Sequence, residues 1–334
     1  MNKIKVGVIY GGMSTEHDVS VVSGTSIIKH LNKDKYKIIP IYIDKKGTWH
    51  SNKDTINNVT EYLKKLDVVF PILHGKYGED GTIQGMLELF KIPFVGCGVL
   101  ASSIAMDKVY SKIIFDKANI KQAKYAILKK CKTNYIYVDK TLNNTIYEME
   151  NLCKMLEDNI KFPMFIKPSN SGSSVGINKA NTKEELEKYI NYASQFDNKI
   201  LVEEAIEGKE IECSVLGNDN VKASTLGEIK PAEEFYSYNA KYNNTNSQII
   251  IPAQISEELS NKVKQIAIKA FKAIDGKGFA RVDFFVNVKT NEIYLNEINT
   301  LPGFTSISMY PKLWEYDGLK YTDLLDKLIE LALN

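Results

Sequence analysis

Short apolar runs punctuate the first third of the chain. Residues 4–10 read Ile-Lys-Val-Gly-Val-Ile-Tyr, and 38–43, 68–72 and 94–95 are comparable runs of β-branched and aromatic residues. Such residues suit a pleated, buried surface. Residues 19–31, after a glycine turn, read as the first helix. Strands alternating with helices predict a parallel sheet with crossover helices. In the middle third, 162–167 and 200–204 read as strands. Residues 182–194 read as a helix, opened by Thr182 with Glu185 three positions on, a capping box. The last third begins near a strand at 214–216. A polar stretch at 233–247 follows, too rich in Asn, Ser and Tyr for a core strand, and then a helix at 256–274 with apolar residues at helical spacing. Runs at 279–286 and 292–296 flank a polar turn at Asn291 and Glu292, so they pair as a hairpin. Residues 321–333 form a closing helix. The predicted fold class is α/β and α+β in three units: 1–107 with the parallel sheet, 108–212 as a smaller mixed unit, and 213–334.

Composition narrows the class. With 334 residues the chain exceeds one small core. Its 43 basic and 41 acidic residues leave a net charge of +2, which gives no reason to expect nucleic acid as a partner. Cys97, Cys131, Cys153 and Cys213 are dispersed with no CxxC pair, so reduced thiols are expected rather than a zinc knuckle or disulfide framework. No apolar run reaches the roughly 18 residues of a membrane span. No signal-peptide pattern precedes the run at Ile4, so the expected location is the cytoplasm.

The hairpin carries the most informative chemistry. Asp283, Glu297 and Asn299 offer oxygen ligands from adjacent strands, with no thiol or imidazole in either run. That donor set suits Mg²⁺ rather than Zn²⁺. Arg281 lies two residues from Asp283 and therefore on the same face. A cation beside such a metal is what phosphoryl transfer needs. Lys167 precedes Ser169-Asn-Ser-Gly-Ser-Ser-Val-Gly176, whose small residues let backbone N–H groups approach an anion. No Gly-Lys-Ser/Thr closes that turn, so it is not a P-loop. Glu203 and Glu210, in Val202-Glu-Glu-Ala-Ile-Glu-Gly-Lys-Glu210, could accept hydrogen bonds from ribose hydroxyls. Gly11-Gly-Met-Ser-Thr-Glu-His-Asp18 ends the first strand and opens the first helix, with Ser14 as a cap or Glu16 facing an ammonium group. His74-Gly-Lys-Tyr-Gly-Glu-Asp-Gly81 is a second glycine-rich turn after a strand.

In this order these motifs, together with Met106-Asp-Lys108, Ala240-Lys-Tyr242, Arg281-Val-Asp283 and Asn296-Glu-Ile-Asn-Thr-Leu-Pro-Gly-Phe-Thr-Ser306, resemble the D-alanine–D-alanine ligases of the ATP-grasp superfamily over nearly the whole length. The resemblance implies a three-domain ATP-grasp fold with an N-terminal parallel-sheet domain, and ATP between the central and C-terminal domains. It implies ATP and Mg²⁺ (or Mn²⁺), as two ions, with D-alanine as substrate, a role in peptidoglycan precursor synthesis, and a homodimer. Lys108 and Lys167 would contact ATP phosphates, with Ser174 in the covering loop. Glu203 and Glu210 would hold the adenosine, the Val202–Glu204 backbone lying near the base. Asp283, Glu297 and Asn299 would ligate the metal. Glu16 would pair with the ammonium of the first D-alanine, with His74 in the same pocket. Arg281 and the Gly303 backbone would stabilise the oxyanion, and Ser308 with Met309 would bind the second D-alanine. Glu16, Ser173 and Tyr242 would hydrogen-bond to one another, and Lys241 with Tyr242 would favour an amine acceptor over D-lactate. Asn239 departs from the glutamate frequent in the family, which touches only local contacts. Rival readings are another ATP-grasp carboxylate–amine ligase, including a D-alanine–D-serine ligase, and a non-catalytic ATP-sensing module.

Overall fold

The computed structural model describes residues 3–52, 54–172, 174–230, 248–305 and 307–334. Strand β1 (Ile4–Gly11) runs parallel to both β2 (Tyr36–Ile43) and β5 (Val68–Pro71), so the predicted crossover sheet forms. Helix α1 (His17–His30) makes the first crossover. The sheet does not stay parallel, because β3 (Trp49–Ser51) and β4 (Asp54–Thr55) extend it antiparallel beyond β2. The run at 94–95 contributes a single bridge, Val69 to Phe94, rather than a strand. Helices α2 (Val59–Leu63), α3 (Thr82–Leu89), α4 (Val99–Met106) and α5 (Lys108–Lys117) follow or interleave.

The second sheet has the order β10-β9-β11-β6-β7-β8. Its strands are β6 (Tyr125–Cys131), β7 (Asn134–Val138), β8 (Asn144–Tyr147), β9 (Met164–Pro168), β10 (Asn178–Ala180) and β11 (Lys199–Glu204). Helices α6 (Met149–Asn159) and α7 (Lys183–Ala193) bury Leu152, Leu156, Leu186 and Ile190 against Ile166, Ile200 and Val202. Each such side chain contributes about 1.5–3 kcal/mol of burial. Thr182 caps α7 by accepting the Glu185 N–H, as its sequence position predicts. Because side chains alternate along a strand, burying Ile166 and Val202 on this face sends Lys167, Leu201 and Glu203 to the other. There Leu201 packs with Val109 of α5.

The third sheet has the order β14-β13-β12-β15-β16. It comprises β12 (Lys209–Leu216), β13 (Lys222–Lys230), β14 (Gln248–Ile250), β15 (Phe279–Asn287) and β16 (Glu292–Asn299). The predicted hairpin is β15–β16, with β16 extending three residues further than its apolar run suggests. Helix α8 (Glu257–Ala273), capped by Ser256, covers it with Val263, Ala267 and Phe271 against Cys213, Val282 and Phe284. Finally α9 (Met309–Tyr316) and α10 (Tyr321–Leu333) return to the first sheet. Tyr310, Trp314, Leu324 and Leu328 share a core with Val6, Val8, Phe70 and Ile72. This return sets Phe304 against α1, where its N–H donates to Ser23 Oγ. Burial pushes the thiols of Cys97 and Cys213 up to about 12, so they are protonated at neutral pH. Among the described residues no helix is long and apolar enough to cross a membrane.

Candidate active site

Lys167 and Glu203 meet because β9 and β11 are antiparallel with Leu201 opposite Lys167, which makes Glu203 the diagonal neighbour on the same face. Glu203 Oε2 lies 2.6 Å from Lys167 Nζ, and its Oε1 lies 2.5 Å from the Nζ of Lys112 on α5. Glu203 is 3% exposed and Lys112 2%. Burial would raise the Glu203 carboxyl, but Lys112 and Lys167 outweigh it and hold the pKa well below the usual range. Burial would likewise lower the Lys167 ammonium, yet Glu203, with Glu297 and Glu210 behind it, raises it. Lys167 Nζ also donates to Asn296 Oδ1 at 3.4 Å, spanning from the second sheet to the third. Glu203 is therefore committed to two ammoniums instead of standing open to a ribose. Val202 is fully buried in the helix-facing core, so only its backbone is available to a ligand. Glu204 Oε1 accepts the Lys124 N–H at 2.8 Å.

On the third sheet, Arg281 stands opposite Asn299 and Asp283 opposite Glu297. Arg281 donates to both oxygens of Asp283, from Nε at 2.8 Å and Nη2 at 2.7 Å, and its Nε is 3.1 Å from Glu212 Oε2. Against the cost of burial, Asp283, Glu212 and Glu297 raise the guanidinium pKa well above its ordinary value. Glu297 thus attracts Lys167 on one side and Arg281 on the other. The chemistry of Asp283, Glu297 and Asn299 fits a hard divalent cation, since all three present oxygen on one face of a hairpin. In the structure Asp283 pairs with Arg281, and Asn299 Oδ1 accepts the Leu301 N–H at 2.9 Å. Among the described residues no three acidic, histidine or cysteine side chains are grouped to hold a metal.

The phosphate-loop region is fastened by Asp107, the N-cap of α5. Its Oδ1 accepts from the Val109 and Tyr110 N–H groups and, at 2.6 Å, from Ser169 Oγ. Its Oδ2 pairs with Lys199 and accepts from Asn170 Nδ2. Burial opposes the charge, but Lys199 and Ser169 keep the pKa lowered. Lys108 Nζ donates to the Ser171 carbonyl at 2.7 Å, which points the ammonium at the loop. Ser174 sits at φ +61°, the left-handed turn of that loop. A Cβ on Gly172 would stand 2.5 Å from Glu16 Oε1. The absence of a side chain there lets the first sheet's carboxylate touch the loop of the second. Glu16 itself is the N-cap of α1 and makes no side-chain cap. Ser14 is not the cap, because its Oγ accepts the Glu16 N–H at 3.1 Å and donates to the His74 carbonyl at 2.5 Å, tying the two glycine-rich turns together.

His74 is buried, with Nε2 2.9 Å from Ser23 Oγ and Nδ1 3.4 Å from Glu79 Oε1. Ser308 Oγ accepts the Thr305 N–H at 3.0 Å, and a Cβ on Gly303 would lie 2.7 Å from it, so these two residues face each other. Met309 does not present its side chain to this cavity. It packs with Ile229 and Leu313, leaving only its backbone for a substrate. Ser173, Lys241 and Tyr242 lie outside the described residues. Lys112, Lys199, Glu212 and Ser23 escape sequence reasoning, and Asp107 enters it only inside Met106-Asp-Lys108, with no role assigned. Of these only Lys112 carried a signal, standing four residues after Lys108 and so on the same helix face.

Two antiparallel sheets linked by a lysine–carboxylate cluster, with a Gly/Ser loop at one side and a mostly parallel sheet beyond it, define an ATP-grasp architecture. The family models for the D-ala D-ala ligase N-terminus and C-terminus match residues 5–61 and 52–97, and 114–330. The chain is 47% identical over 374 residues to the D-alanine–D-alanine ligase of Acetivibrio thermocellus, covering 99% of this chain and 96% of the relative. The VanG D-Ala:D-Ser ligase from Enterococcus faecalis superposes with a TM-score of 0.86 at 36% identity, covering 99% and 100%. A D-alanine–D-alanine ligase from Bacillus anthracis complexed with ATP gives 0.78 at 32%, covering 99% and 97%. The chain belongs to the D-alanine–D-alanine ligase family.

Proposed function

We propose that this chain joins two D-alanines into D-alanyl-D-alanine with cleavage of ATP to ADP and phosphate, as a step in peptidoglycan precursor synthesis in the cytoplasm. One set of contacts supports the reading: the Gly172 turn approaches Glu16, Lys108 donates to the same loop at Ser171, and Lys167 reaches Asn296 on the strand paired with that of Arg281 and Asp283. The first D-alanine carboxylate attacks the γ-phosphorus as the bond to ADP breaks, giving an acyl phosphate. The amine of the second attacks the acyl carbon, loses a proton, and phosphate departs. No residue need be covalently modified, so catalysis is orientation and charge stabilisation. Lys108 and Lys167 bind phosphate oxygens. Glu16 pairs with the first ammonium. Arg281 and the Gly303 N–H receive the developing oxyanion, and Ser308 donates to the second carboxylate. Mg²⁺, held by Asp283, Glu297 and Asn299, supplies charge neutralisation for the phosphates when bound.

A second reading, D-serine as acceptor, is favoured by the likeness to the VanG enzyme. Lys241 and Tyr242, as residues of the family pattern, support an amine acceptor in either case. Phosphate release measured with D-alanine, D-serine, D-lactate and L-alanine separates the readings. We expect D-alanine to be fastest, D-serine weaker and D-lactate inactive. Faster turnover when D-serine is added to D-alanine would establish the second reading, and no release with any D-amino acid would refute both.

A further inference from the structure

The ligase reading leaves one buried hydroxyl unexplained. Ser23 lies in the second turn of α1, fully buried, and faces two loops from opposite ends of the chain. Its Oγ accepts the Phe304 N–H at 3.4 Å and stands 2.9 Å from His74 Nε2. On the far side of the ring, Nδ1 is 3.4 Å from Glu79 Oε1, an oxygen that also accepts the Gly75 N–H at 3.0 Å.

Donor and acceptor roles follow from what each group can do. A carboxylate oxygen only accepts, so the His74 proton sits on Nδ1. A backbone N–H only donates, so the Ser23 oxygen is the acceptor for Phe304, and its own proton is free to point at the Nε2 lone pair. In that arrangement Glu79 sets which side of the ring carries the proton, and the Ser23 hydroxyl gives its proton to Nε2 while its oxygen accepts from Phe304. The same helix face holds the other end of Phe304. Its carbonyl accepts from Tyr321 Oη at 2.9 Å, and Tyr321 Oη lies 3.1 Å from Ser26 Oγ, one helical turn beyond Ser23. The Phe304 N–H, held by Ser23, fixes the plane of the Gly303–Phe304 peptide, and its carbonyl, held by Tyr321, fixes that of the Phe304–Thr305 peptide, so the backbone following Gly303 is anchored.

We infer that Ser23 is a positioning residue that donates to His74 Nε2 and accepts the Phe304 N–H, setting the Gly303–Phe304 peptide and joining the His74 turn to the oxyanion loop through one hydroxyl. The inference rests on the ligase reading for its consequence in turnover, but the hydrogen bond to His74 stands or falls independently. Ser23 touches no substrate itself. Its loss acts through His74 and Gly303.

The test is Ser23→Ala, with Ser23→Cys as a second variant that fills the same space with a weak donor. The chain has four histidines, so ¹⁵N-histidine labelling gives four rings, and His74 is assigned by its disappearance in His74→Gln. In the wild type the unprotonated His74 Nε2 should resonate upfield of a free imine nitrogen, as a hydrogen-bond acceptor does, and in Ser23→Ala it should move downfield toward the free value, with Ser23→Cys between. Steady-state phosphate release should show kcat down roughly tenfold, the loss of one or two buried hydrogen bonds, with the KM for ATP within twofold. An Nε2 resonance at the wild-type position in Ser23→Ala overturns the inference. So does a wild-type kcat in Ser23→Ala with the resonance moved, which would uncouple the hydrogen bond from the oxyanion loop. Absence of D-alanine-dependent turnover in the wild type would refute the ligase reading instead, while leaving the Nε2 result to stand.

Discussion

Replacing Glu203 by glutamine tests the charge cluster at its centre. Glutamine keeps the volume of the side chain but has one acceptor oxygen and one donor nitrogen. Because the two carboxylate oxygens are 2.5 Å and 2.6 Å from separate ammoniums, either orientation of the amide points an NH₂ at a lysine. Removing one partner of a buried ion pair costs about 3–5 kcal/mol. The lower end applies, because each lysine keeps something. Lys167 retains Asn296 Oδ1 at 3.4 Å, and Lys112 retains the Tyr125 ring with its centroid 5.7 Å away. We therefore expect a loss of about 3 kcal/mol in urea denaturation, seen thermally as a fall in Tm of about 4 °C for a chain of 334 residues. ATP affinity should fall too, since Lys167 loses the anchor that aims it. Adding Lys112→Met removes the ammonium left without an anion, and more than half of the lost stability should return. A single variant within about 0.5 kcal/mol of the wild type, or a double variant less stable than the single, would refute the account of Glu203 as the counter-ion of both lysines.

Three further outcomes follow from the same geometry. Glu297→Gln should leave the fold intact and lower turnover about 10²–10³-fold at ordinary magnesium concentrations, and a rate within threefold of wild type in a phosphate-release assay rules out its place among the metal ligands. Ser308→Ala should raise the KM of the second D-alanine about tenfold, and that of the first far less, because only the second carboxylate loses a donor; equal changes in both, from bisubstrate kinetics, would remove Ser308 from the acceptor site. The pH dependence of stability has a definite sign. Glu203 and Asp107 titrate below their unfolded values, so their contribution is present above the ordinary carboxylate range near pH 4 and is lost as pH falls through the lowered folded values. Lys167 titrates above its unfolded value, so its contribution is complete below about pH 10.4 and is lost as pH rises through the raised one. Urea midpoints at a series of pH values should show this plateau with an acid limb that is shallower in Glu203→Gln, and an unchanged limb would contradict the assignment.

What the sequence by itself determined is local. The β15–β16 hairpin follows from two apolar runs with a polar turn between, and the period of two along Phe279–Asn287 puts Arg281 and Asp283 on one face, whereas the register shift that sets Asp283 opposite Glu297 and Phe284 opposite Leu295 appears only in the fold. The cap of α7 follows from Thr182 and Glu185. The motif order carried the family. Tertiary structure decided which charges face one another. Glu203 has no sequence neighbour to show that it is held by Lys112, 91 residues earlier, and Lys167, 36 earlier, because those contacts exist only once α5, β9 and β11 pack. It also decided that Met309 points into a core, since the residue's apolar partners, Ile229 and Leu313, lie on β13 and α9. The return of α10 to the first sheet, which brings Phe304 within reach of Ser23, is set by burial of Leu324 and Leu328 on Val6 and Phe70. Propensity and spacing act over a few residues, whereas a buried charge or hydroxyl is satisfied by whatever the packing of distant elements brings beside it, and that is decided by the whole core at once.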